Sequence, residues 1–206
     1  MNDRTLVLLV STLMFKSLDA FPQTSWEIDK NRDGIAVYTM TEKDSDFKSF
    51  KAVVLVDASK DEIIKLLKDV DSYTKWYGYT RTSKLIEQEK DVQYNYVETI
   101  FPWPYSNRDM VYRMSVDTLN PAATKIFLKG IPDYIPEKKG IVRMQKAEGY
   151  ILLKPLDETT EITYVFHSEP GASVPIWLAN NSIAELPFKT LLGLREILQK
   201  KNKTSK

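Results

Sequence analysis

The sequence predicts an α+β domain, an antiparallel sheet laid down mostly as a meander and closed by a long C-terminal helix. Three observations carry this. Between Arg81 and His167 the chain has little helical period and breaks into short strand-like segments separated by turn chemistry. Consecutive strands with short links pair antiparallel. From Pro175 to Lys200, Ile183, Leu186, Thr190, Leu191, Leu194 and Leu198 recur at steps of three and four, the period of a helix with one broad apolar face. Between these regions and the N-terminus, Ser59 and Glu62 have the spacing of a capping box opening a short helix.

Taken in order, residues 35–40 and 47–56 read as strands, the second with Phe50, Ala52, Val54 and Val56 on one face. Ile63, Ile64, Leu66 and Leu67 form the apolar side of the helix that follows. A second short helix over 71–76 turns Tyr73 and Trp76 inward and stops at Gly78. Six strands are then expected at 82–88, 92–100, 109–118, 123–128, 141–153 and 160–167, with Asn120-Pro121 among the turns. The final helix has Pro175 in its first turn, where a missing N–H costs nothing. Pro187 is expected to kink or split it.

Composition narrows the function. The chain has 206 residues, 43% hydrophobic and 28% charged, with 29 Lys plus Arg against 28 Asp plus Glu. A net charge of +1 offers no basic footprint for nucleic acid. With no cysteine there is no disulfide, thiolate metal site or cysteine nucleophile, and the single histidine, His167, cannot build a histidine-rich metal cluster. Residues 1–20 have the order of a signal peptide: Arg4, an apolar run from Leu6 to Phe15, and Ala20 before a change of composition at Phe21. The expected organisation is a leader over 1–20 and one domain over 21–206, exported and, given the absence of cysteine, bacterial periplasmic.

The most informative stretch is Phe101-Pro102-Trp103-Pro104-Tyr105-Ser106-Asn107-Arg108-Asp109-Met110. Two prolines in three positions cannot continue a ladder, so an indole is held on a connection between strands. Together with Trp26, Asp33-Gly34-Ile35-Ala36-Val37-Tyr38, the Tyr73/Trp76 pair, Lys139-Gly140-Ile141-Val142-Arg143, Gly149-Tyr150 and Glu169-Pro170-Gly171, it resembles START domains, the StAR-related lipid-transfer family, of the phosphatidylcholine-transfer and bacterial type. The resemblance spans about residues 24–200. It implies a helix-grip fold, with the curved sheet wrapped around the C-terminal helix, and an interior cavity for a lipid or other hydrophobic molecule. It implies no enzyme activity and no cofactor, transient contact with a membrane surface, and a monomer.

Site residues follow from that resemblance. Trp103 has two readings, core aromatic or membrane-inserting lid, and its flanking prolines favour the lid. Phe101 belongs to the same lid. A second lid is expected at 172–175, leading into Ile176 and Trp177, with Val174 and Trp177 as contacts and Ser173 where the family has another exposed tryptophan. Arg108 and Asp109 are read as a structural ion pair at the lid's base, with Arg108 satisfied there by nearby carboxylates and loop carbonyls, the alternative being direct contact with a ligand head group. The acid–arginine pair of sterol-binding members would fall near Tyr94 and at Met114, both uncharged, leaving an apolar cavity with tyrosine contacts. The expected cavity residues are Tyr94, Tyr112, Met114, Arg143 and Leu191. Arg143 and Glu98 could each serve as a cavity pole or face water, and Met110, Met114 and Met144 could line a pocket or fill a core. An enzyme of the same fold and a domain whose aromatics fill the cavity are the rival functions; neither a Ser-His-acid context nor a His-x-Glu spacing is present.

Overall fold

The computed structural model describes residues 25–117, 122–171 and 174–204. The leader segment, the Asn120-Pro121 turn, and Ala172 and Ser173 of the second lid lie outside them. Among the described residues ten strands form one sheet: β1 (Glu27–Arg32), β2 (Ile35–Met40), β3 (Ser49–Val56), β4 (Thr80–Glu89), β5 (Val92–Thr99), β6 (Arg108–Asp117), β7 (Thr124–Gly130), β8 (Val142–Arg143), β9 (Lys146–Leu156) and β10 (Thr159–Glu169). Their spatial order is β1-β2-β3-β10-β9-β7-β6-β5-β4, antiparallel throughout, with the two-residue β8 pairing parallel to β6. Helix α1 (Lys60–Lys68) and a 3₁₀ segment (Val70–Lys75) connect β3 to β4; α2 (Ile176–Ser182) and α3 (Glu185–Thr204) follow β10.

The meander and its terminal helix are as the periodicity predicts, and the curved sheet around α3 is the helix-grip arrangement. The capping box is formed: Ser59 Oγ accepts from the Glu62 N–H, and the Glu62 carboxylate accepts from the Ser59 N–H at 2.9 Å. Strands β2, β3 and β10 alternate buried and half-exposed residues, so one face of the sheet carries the core. Phe188, Leu191, Leu194 and Leu198 bury the apolar stripe of α3 against that face. Two glycines admit close backbone approach: a Cβ on Gly193 would lie 2.2 Å from Trp76 O, and one on Gly149 2.1 Å from Val165 O.

Two expectations change, and the split of the C-terminal helix near Pro187 is met. β1 is an additional edge strand; EIDKNR is exposed at nearly every position and carries no alternation. The single strand expected at 141–153 is two, broken at Met144–Gln145: β8 pairs parallel with β6, Asp109 opposite Arg143, whereas β9 pairs antiparallel with β7 and β10. The C-terminal helix breaks at Ile183–Ala184, ahead of Pro187, which sits in the first turn of α3 where no N–H is required.

Candidate functional site: an apolar cavity between sheet and helices

The concave side of the sheet does not close completely on the helices. It leaves a cavity of about 450 Å³, inside the range of about 300–1,000 Å³ typical of small-molecule sites. Its walls come from every layer: Val97 and Thr99 of β5; Met110, Tyr112 and Met114 of β6; Leu128, Met144 and Ile151 beyond them; Phe50, Tyr164 and Phe166 across the sheet. Tyr73 and Tyr77, from the chain after α1, and Leu178, Ile183 and Leu186, from α2 and the start of α3, complete it. Lys48 and Glu185 are its charged lining residues, and Glu185 is ion-paired to Lys30.

The floor is aromatic and neutral. Tyr77 and Tyr164 share a hydroxyl–hydroxyl bond of 2.6 Å, Tyr73 donates to the Leu67 carbonyl at 2.5 Å, and Tyr73 stacks on Tyr77 at 4.9 Å. Burial pushes the Tyr77 phenol up to about 12 and raises Tyr73, Tyr112 and Tyr164 too, so all four stay uncharged at physiological pH.

Two segments form the rim, and both expose large apolar side chains. Ile100, Phe101 and Pro102 line the cavity while Trp103, beside them, is 93% exposed; Leu178 and Ala179 line it while Ile176 and Trp177 are exposed. The loop holding Trp103 is fixed at its base: Asn107 accepts from the Phe101 N–H at 3.2 Å and donates to Glu98 at 2.7 Å. Arg108, fully buried, donates to the Ser106 carbonyl and, at 3.0 Å, to the Pro170 carbonyl, and its guanidinium lies 4.6 Å over the Phe101 ring. It therefore ties the two rim segments together.

A family model for the START domain matches residues 21–204. The chain belongs to the START domain family. This START domain is 34% identical over 177 residues to an uncharacterized protein of Pseudomonas aeruginosa, covering 85% of this chain and 88% of the relative. It is 26% identical over 169 residues to the phosphatidylcholine transfer protein of Mus musculus, covering 78% of each. Among solved structures, a STAR-related lipid transfer protein of Xanthomonas axonopodis superposes with a TM-score of 0.80 at 35% identity, covering 84% of this chain and 98% of that one.

The structure gathers some of the expected site residues and disperses others. Tyr112, Met114 and Phe101 line the cavity, and Trp103 and Trp177 stand exposed at its rim. Tyr94 does not line it: one residue out of phase, it points to the opposite face of the sheet and stacks on Tyr134 at 4.6 Å. Leu191 is buried in the α3–sheet core, since only the first residues of α3 reach the cavity. Val174 is buried, leaving the exposed contacts of that segment to Ile176 and Trp177.

The ion pair is also redistributed. Neighbours on a strand point to opposite faces, so Arg108 and Asp109 do not serve one another. Asp109 binds Arg143, at 2.7 Å to Nε and 3.2 Å to Nη2, with both side chains 1% exposed. The rest of the Arg143 fork donates to the carbonyls of Pro132, Ile135 and Pro136. Arg143 is thus the anchor of the 131–142 loop on the outer face, not a pole of the cavity. Glu98 is held at the rim base by Asn107 and Arg81. Met110 and Met144 belong to the wall. The sequence reading missed Tyr73, Tyr77 and Tyr164 as cavity residues because a buried tyrosine and a ligand-facing one carry the same periodic signal.

Proposed function

We propose that this START domain is a non-catalytic carrier that takes a lipid into its cavity and exchanges it with a membrane at the Trp103 rim. The observation that carries the reading is the cavity itself: an apolar, partly enclosed space whose opening is flanked by exposed tryptophans. Sequestration has a sufficient driving force, since each methylene moved from water into an apolar site gains about 0.8 kcal/mol. An exposed indole beside that opening suits the membrane interface, where an apolar ring with one polar N–H is best accommodated. Relatives whose names include phosphatidylcholine transfer and lipid transfer support the reading. Among the described residues no set of His, Cys, Asp and Glu is grouped to hold a metal ion.

Native mass spectrometry of the chain, purified without detergent, tests the carrier function. A bound mass in the lipid range that exchanges with lipid vesicles and is released chemically unchanged is expected. A clean apo mass with no uptake from mixed vesicles would refute lipid carriage, and a chemically altered product would make the protein an enzyme. For the rim, Trp103→Ala is expected to weaken co-flotation with vesicles by about tenfold while the unfolding midpoint stays put, a fully exposed site being worth under about 0.5 kcal/mol to the fold. A large loss of stability would return Trp103 to the core.

A further inference from the structure

Resting on that lipid-binding reading, the buried polar atoms of the sheet narrow the ligand class. Six buried side-chain oxygens and nitrogens lack a hydrogen-bond partner among the described residues: Thr80 Oγ1, Ser83 Oγ, Gln93 Oε1, Asn95 Oδ1 and Nδ2, and Tyr96 Oη. Native interiors satisfy such groups, so a cluster of them calls for an occupant. Apart from Tyr96 they share one face. Directly opposed residues in an antiparallel pair project to the same side. Thr80 opposes Thr99, Ser83 opposes Val97, Asn95 opposes Tyr112 and Gln93 opposes Met114. Each partner in those four pairs lines the cavity. Five orphan atoms therefore run alongside one wall of an otherwise apolar chamber.

Asn95 is the strongest of them. It is 0% exposed, its amide meets no described polar group other than the Tyr112 phenol beside it, and Tyr112 lines the cavity. An amide offers both donor and acceptor, and so does a phenol. What they cannot do is neutralise a charge. Arg108 is engaged by carbonyls at the rim, Arg143 by Asp109 on the far face and Glu185 by Lys30, while Lys48 lines the cavity beside α2, where its N–H donates to Asn180, across the sheet from the Asn95–Tyr112 wall. A phosphate pushed to the floor would be an unpaired buried charge, which proteins do not tolerate. Size points the same way: about 450 Å³ is under half the upper end of the ordinary range, where a two-chain phospholipid begins to fit.

We propose that the cavity takes a single-chain lipid with an uncharged polar end, a hydroxyl or a carbonyl, entering that end first, to be hydrogen-bonded by Tyr112 with Asn95 behind it. Tyr112 makes the direct contact. Asn95 bonds the phenol from the other side, so that ligand, Tyr112 and Asn95 form one chain of hydrogen bonds and one end of the amide gains a partner. The remaining orphans on β4 lie along the same wall as secondary positions for the polar end or for a water that accompanies it.

The test is displacement of Nile red from the full chain by 1-dodecanol, dodecane and dodecyl phosphate, in wild type, Asn95→Leu and Tyr112→Phe. Dodecanol is expected to compete at least tenfold better than dodecyl phosphate. Its advantage over dodecane should fall about tenfold in each variant, the usual worth of one buried hydrogen bond, with dodecane itself unaffected. Tyr112→Phe removes one oxygen only, so it keeps the test open if Asn95→Leu fails to fold. A preference for dodecyl phosphate, or an alcohol-over-alkane ratio unchanged in both variants, overturns the proposal while leaving the cavity intact. Failure of the dye and all three competitors to bind wild type would instead remove the lipid-binding reading beneath it.

Discussion

Replacing Arg143 by methionine is expected to destabilise the protein by about 3–5 kcal/mol, the usual cost of removing one partner from a buried ion pair. The magnitude follows from what is left behind. Asp109 and Arg143 are each 1% exposed, so the carboxylate cannot recover its lost partner from solvent. The carbonyls of Pro132, Ile135 and Pro136 lose their donors as well, and with them the 131–142 loop loses its attachment to β6. Methionine keeps most of the volume and flexibility of the arginine stem, so the loss measures charge and hydrogen bonding more than a cavity. The pair itself carries far less net stability than its disruption suggests, since desolvation of both ions offsets much of their attraction. Asp109→Leu combined with Arg143→Met is therefore expected to recover at least half of the single-mutant loss. Urea unfolding of both singles and the double mutant decides it. A loss under about 1 kcal/mol for Arg143→Met would mean that the loop is solvated and the pair is not closed in solution.

That the guanidinium partner of Asp109, Arg143, lies 34 residues downstream shows where the sequence stops being legible. Asp109 and Arg108 are adjacent in the chain, and adjacency suggested a pair; on a strand it guarantees opposite faces. The same parity rule undid Tyr94. Its neighbour Asn95 is the residue that opposes Tyr112, and a one-residue change of phase moves a side chain from the cavity to the outer surface. Periodicity locates strands well, because burial on one face imposes a period of two, but register and facing depend on pairing that no local pattern records. The elements with a strong local signature were readable in detail: the Ser59 cap, the apolar stripe of α3, and the Pro-Trp-Pro connection. β1, with no apolar alternation, was not. The family was readable because its motifs recur in order over nearly the whole chain. The cavity was not, since space left between layers depends on how closely α3 approaches the sheet.

That approach can be altered at one atom. Gly193→Ala is expected to destabilise the protein by about 1–3 kcal/mol, the cost of forcing extra volume into a packed interior, even though alanine favours helix over glycine by about 1 kcal/mol. A Cβ at Gly193 would lie 2.2 Å from Trp76 O and 3.0 Å from Trp76 C. These are backbone atoms, with no rotamer through which to yield, so either α3 or the segment carrying Trp76 must move. Gly78 sits in the same seam: its N–H donates to Thr190 Oγ1 at 3.1 Å, and its own Cβ position is 2.8 Å from Leu186 O. The two glycines let the 73–78 segment lie directly on α3. Tyr73 and Tyr77, both cavity residues, are carried by that segment, Tyr77 next in sequence to Trp76. Gly193→Ala should therefore impair ligand uptake beyond what its loss of stability explains, under conditions where the variant remains folded. Urea unfolding together with Nile red titration at low temperature separates the two effects. A variant as stable as wild type, or more stable by the helix-propensity gain, would show that α3 stands off from Trp76. Lost stability with unchanged dye affinity would show instead that the tyrosine floor is held by the sheet, through the Tyr77–Tyr164 hydroxyl bond, independently of the helix.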